Sequence, residues 1–131
     1  MQTNSISRKR LWTGRILSGI VIAFLLFDGI IHVAAIPAVA EASQQMGFPL
    51  ASIQILGVVE LLCVLLYILP RTSIIGAILL TGYLGGAMAI QVKLSAPLFS
   101  TLLFPIYIGA LLWGGLYLIG KFRIQQLLSV K

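Results

Sequence analysis

Asp28 and His32 stand four residues apart within FDGIIHVAA, Phe27 to Ala35, in a run that is otherwise almost wholly aliphatic. On a helix that spacing puts a carboxylate and an imidazole on one face, about 6 Å apart. The two can form a structural pair near the headgroup level, or a site for protons or a polar ligand. Glu60 is the second oddity, because Val58, Val59, Leu61 and Leu62 flank it. A carboxyl so placed suits proton exchange, or a hydrogen bond across helices, for instance to Tyr83. Gln54, Gln91 and Lys93 are expected at about the depth of His32. One outward-facing polar pocket is therefore expected to gather Asp28, His32, Gln54, Glu60, Tyr83, Gln91 and Lys93.

The elements that must position these residues follow from the solvent. Sixty per cent of the 131 residues are hydrophobic, only 9% are charged, and the mean hydropathy is +1.08. A soluble domain devotes about a quarter of its residues to charge, so the main solvent is a bilayer. About 20 apolar residues in a helix cross the hydrocarbon, and four stretches qualify: 11–36, 50–69, 74–92 and 102–119. Pro37, Pro49, Pro70 and Pro97 fall at their ends, where helices stop. The expectation is an all-α, up-down-up-down membrane bundle forming one domain over 1–131, with a loop from Pro37 to Pro49. Thr72 or Ser73 is expected to cap the third span through its hydroxyl.

Arg8, Lys9, Arg10, Arg15, Arg71, Lys121, Arg123 and Lys131 fall on one side of that arrangement and Lys93 on the other. Basic residues accumulate on the cytoplasmic side, so both termini are expected there. The formal charge of +6 thus reads as membrane anchoring, and nucleic acid is set aside. A signal peptide competes for the first stretch, with Ala38-Val39-Ala40 as a cleavage site. The stretch is long enough to span, however, and it carries Arg15, Asp28 and His32. Cys63 is the single cysteine, which excludes dithiol chemistry within one chain. Haem would need axial ligands, and His32, Met46 and Met88 are scattered. Zinc would need clustered His, Cys and carboxylates, so no metal site is expected.

Gly82 and Gly86 form GxxxG, and Gly85 with Ala89 continues the small-residue spacing that lets helices approach in lipid. Gly57 and Gly114 are further packing candidates. Trp113 and Tyr117 are read as interfacial anchors.

FDGIIH (Phe27 to His32), LGVVELLCVLLYILPRTSIIGAILLTGYLGGAMA (Leu56 to Ala89), PLFSTLLFP (Pro97 to Pro105) and IGALLWGGLYL (Ile108 to Leu118) together resemble the DoxX-like family of small bacterial membrane proteins. The resemblance implies a four-helix bundle in the bacterial cytoplasmic membrane. It also implies an association with quinone-linked oxidation and redox-stress complexes. Members of this branch often carry a His and an Arg just after GYLGGA, where Gln91 and Lys93 stand here. Asp28, Glu60 and Lys93 carry over as pocket positions.

Three functions follow as expectations. The first is a subunit or accessory of a membrane redox system with a quinone-facing groove, which suits the small size and incomplete catalytic set. The second is a proton-coupled carrier or efflux component using Glu60, which at four spans calls for a homo-oligomer. The third is an oxidoreductase that binds quinone itself, with His32, Tyr83 and Lys93 near the ring. The expected partners are lipid, redox-complex subunits or a second copy, and the expected cofactor, if any, is quinone.

Overall fold

A computed structural model describes residues 7–120. Among them are helices α1 (Arg8–Ala34), α2 (Pro37–Met46), α3 (Leu50–Ile68), α4 (Ser73–Lys93) and α5 (Phe104–Ile119), with a π-helical turn at Leu98–Leu102 before α5. Among the described residues four helical stretches are long and apolar enough to cross a membrane, the last counted from Leu98. Lys121, Arg123 and Lys131 lie outside the described residues.

Local chemistry sets the boundaries. Ser7 caps α1 by accepting a hydrogen bond from the Arg10 N–H at 3.2 Å, a signal the sequence reading passed over. The helix ends at Ala35, which takes the left-handed conformation at φ 52 two residues before Pro37. Pro37 then opens α2, because a first-turn proline loses no hydrogen bond, and Gly47 closes it at φ 75. The segment expected as a loop is thus mainly helix. The cap expected at the third span differs as well. Thr72 donates its hydroxyl to Leu66 O at 2.8 Å, and Ser73 donates to Leu69 O at 2.8 Å. Those carbonyls belong to the end of α3, where acceptors lack helical partners, so both hydroxyls fasten the hairpin.

The four long helices form a closed ring in which α1 packs on α3 and α5, and α4 packs on α3 and α5. The core runs through Val21, Leu25, Val64, Tyr67, Leu80 and Leu112. Large aliphatic side chains stay exposed around the outside, including Ile55 (63%), Leu62 (57%) and Ile78 (55%). Lipid tails are as apolar as these groups, so close packing and internal hydrogen bonds hold the helices together. Tyr67 OH donates to Leu112 O at 3.0 Å. Its single proton being spent there, the Tyr67 hydroxyl oxygen accepts from Ser18 Oγ at 3.1 Å, and the pair of bonds links α1, α3 and α5. Trp113, read as an anchor, donates from Nε1 to Thr81 Oγ1 at 2.8 Å and ties α5 to α4.

The glycines that permit close approach are mostly not those expected. A Cβ on Gly57 would lie 2.8 Å from His32 Cβ and 3.0 Å from Gly29 O, and one on Gly29 would lie 2.7 Å from Leu61. Gly14 and Gly115 do the same for α1 and α5, and Gly76 meets the backbone of Leu66 and Tyr67. Gly82, Gly85 and Gly86 have nothing within 4 Å of such a Cβ, and Gly114 meets only Leu17 at 3.9 Å. The reason is that α4 turns Ala77, Leu80 and Leu84 to the core, which leaves the GxxxG strip on another side.

Gly76→Ala is expected to destabilise the bundle by about 1–3 kcal/mol, since backbone cannot yield to the added methyl. Gly82→Ala should stay within about 1 kcal/mol of the parent. Unfolding in detergent compares the two, and equal losses would contradict this packing.

Candidate functional site

The polar residues gather at the end of the ring away from Arg8 and Arg71. There the C-terminal parts of α1 and α4 meet the N-terminal parts of α3 and α5 around a cavity of about 460 Å³. Met46 of α2 and Ser100 and Thr101 of the π-helical turn contribute to its rim. Phe24 and Phe104 meet edge to face on one wall, with centroids 5.2 Å apart.

Three ionisable groups share this space. His32 Nδ1 lies 2.6 Å from the backbone oxygen of Asp28 and 3.3 Å from Asp28 Oδ2. A carbonyl can only accept, so Nδ1 carries a proton and the other ring nitrogen is left toward other partners. Their side chains keep 23% and 31% of their exposure, respectively. Glu60 is fully buried. Tyr83 OH donates to its Oε2 at 3.1 Å, while Oε1 has no hydrogen-bond partner among the described residues. Ligand-type atoms of Asp28, His32 and Glu60 all lie within 4.8 Å of one another. The sequence expected these three in one pocket but no cluster of metal-ligand spacing; the α1–α3 crossing brings them that close.

Of the seven residues expected in one pocket, Asp28, His32, Glu60, Tyr83 and Gln91 line the cavity, and Gln54 and Lys93 do not. Gln54 instead donates from Nε2 to Val33 O at 3.1 Å, bracing α3 against the end of α1. Lys93 is exposed. It follows Gln91 by two residues, which on a helix turns it about 200° away. Sequence reasoning missed the aromatic wall and the π-helical turn. Phe24 looked like any aliphatic-run residue, and Ser100 and Thr101 lay between two prolines in a segment read as a connection running into the fourth span. It also missed Tyr67, whose hydroxyl in a leucine-rich run was a signal that a partner must exist.

Residues 16–115 match the sequence model of the DoxX-like family. No curated protein and no solved structure matches the chain significantly.

The Glu60–Tyr83 bond is expected to appear as a coupling of about 0.5–2 kcal/mol in a double-mutant cycle of Glu60→Gln and Tyr83→Phe, the range for hydrogen bonds between membrane helices. Stability in detergent gives the four corners. Strict additivity would mean that the two groups do not meet.

Proposed function

The chain belongs to the DoxX-like family, and from that premise we propose that it is a quinone-binding membrane subunit of a redox system. One observation carries this reading: an apolar cavity of about 460 Å³ that holds a phenol, an amide, an imidazole and two carboxyls within the membrane-spanning helices. Small-ligand sites are mostly apolar clefts with a few convergent polar groups. A quinone ring fits the apolar walls beside Phe24 and Phe104, and its carbonyl oxygens need donors. Gln91 offers an amide, His32 in its protonated form offers a second N–H beyond the one held by Asp28 O, and Tyr83 can turn its hydroxyl from Glu60.

Converting a quinone to a quinol consumes two electrons and two protons. Asp28, His32 and Glu60 are the proton-exchanging groups in reach of the ring. The electrons come from a redox partner, which makes the chain a subunit and not a self-sufficient enzyme. Arg8, Lys9, Arg10, Arg15 and Arg71 sit at one end of the bundle and Lys93 at the other, so the basic end faces the cytoplasm. In the bacterial cytoplasmic membrane the cavity then occupies the outer half.

A second reading, a proton-coupled carrier working as a homo-oligomer, is favoured by the unpartnered oxygen of the buried Glu60. Carboxyls in that setting are typical of proton relays in transporters.

Protein purified in mild detergent is expected to carry quinone in its organic extract. Tyr83→Phe and His32→Ala should each weaken binding of a short-chain quinone about tenfold, which corresponds to one lost hydrogen bond of about 1.4 kcal/mol. An extract free of quinone, together with no binding of the added quinone, removes the reading. The carrier alternative is separated in proteoliposomes: it requires pH-driven solute movement that Glu60→Gln abolishes.

A further inference from the structure

We propose that Asp28, His32 and Glu60 form a binding site for one divalent transition-metal cation of the zinc class. The site goes beyond quinone binding and does not need it. The three side chains come from two helices locked together at Gly29 and Gly57, and one ligand-type atom of each, a ring nitrogen for His32 and a carboxylate oxygen for Asp28 and Glu60, lies within 4.8 Å of the others. Donors around one such ion, at bond lengths of about 2.0–2.2 Å, are separated by at most about 4.4 Å, so small side-chain rotations close the set.

An independent observation points into the same place. Glu60 is fully buried, Tyr83 holds one of its oxygens, and the other accepts no hydrogen bond among the described residues. A buried acceptor without a donor is costly, and a bound cation removes that cost. The second coordination layer is also built. His32 gives its Nδ1 proton to the Asp28 carbonyl at 2.6 Å, the arrangement that orients a ligating imidazole and leaves the other nitrogen for the metal. Tyr83 does the equivalent for the Glu60 carboxylate.

Charge selects the valence. Two carboxylates and a neutral imidazole around a divalent ion make a neutral complex, the form least costly in a low-dielectric interior. Among the described residues neither Lys nor Arg lines the cavity, so none of them competes for the two carboxylates there. One nitrogen among oxygens favours zinc-class ions over magnesium or calcium, which take oxygen ligands. With three protein ligands, a fourth position remains open to the cavity, and the partly exposed Asp28 and His32 give the ion a way in.

The test uses the full chain carrying a tag free of histidine, in detergent, titrated with zinc acetate after chelator treatment. About one zinc per chain is expected by metal analysis, with X-ray absorption reporting a single imidazole among oxygen ligands and no sulfur. His32→Ala, Asp28→Asn and Glu60→Gln should each weaken binding tenfold or more, and a hundredfold excess of magnesium should not compete. Should Glu60→Gln fail to fold, as read by gel filtration and circular dichroism, the more exposed Asp28 and His32 variants carry the test. Absent binding, binding unchanged in those variants, or sulfur in the coordination shell overturns the proposal. Metal content is read without quinone, so it stands or falls apart from the quinone extraction.

Discussion

The crossing of α1 and α3 is the constraint from which the interior follows. Gly29 and Gly57 remove the two side chains that would hold the helices apart, and at that crossing the backbone of one helix touches side chains of the other. Asp28 and His32 flank Gly29 on α1, and Glu60 stands one turn beyond Gly57 on α3. The close approach is therefore what turns two separate polar positions into one cluster. Any larger residue at either glycine separates the helices and with them the carboxylates.

The rest of the bundle spends its few polar side chains on fixing that crossing. In hydrocarbon, burying an aliphatic group gains little over leaving it in lipid, so directional bonds and close contacts must specify the arrangement. The Ser18–Tyr67–Leu112 chain sets α1, α3 and α5 at the basic end. Trp113 and Thr81 join α5 to α4 midway, and Tyr83 brings α4 to Glu60 at the cavity. At the far end Gln54 closes the seam between α3 and α1. The links cross the α1–α3 boundary at two heights and the α3–α5, α4–α5 and α3–α4 boundaries once each, so together they leave the ring little freedom to slide.

The spans were legible because their signal is additive: some twenty aliphatic residues between prolines mean the same thing wherever the helices turn. Rotation about each helix was not legible. Gln91 and Lys93 share a depth, yet only Gln91 faces the cavity. Depth fixed their height and left their direction open. The repeated GxxxG spacing on α4 drew attention to Gly82 and Gly86, while the working contacts fall to Gly14, Gly29, Gly57, Gly76 and Gly115, which share no repeat. Helix α2 was hidden by its short length, although Pro37 at its start and Gly47 at its end were visible marks. The meeting of Asp28 and His32 with Glu60 depends on a contact between distant parts of the chain, and no local pattern encodes that.

At the basic rim, Arg10 donates from its guanidinium to Tyr117 O at 3.0 Å and lies 4.9 Å from the centre of that ring. Helices α1 and α5 are thereby clasped, and the circle of four has no privileged seam. Stringing order is incidental to the contacts: a chain begun at α4, with a short tether joining α5 to α1, would keep every neighbour it now has. The fold is better pictured as a hoop that happens to be cut at one place than as a strand with two free ends.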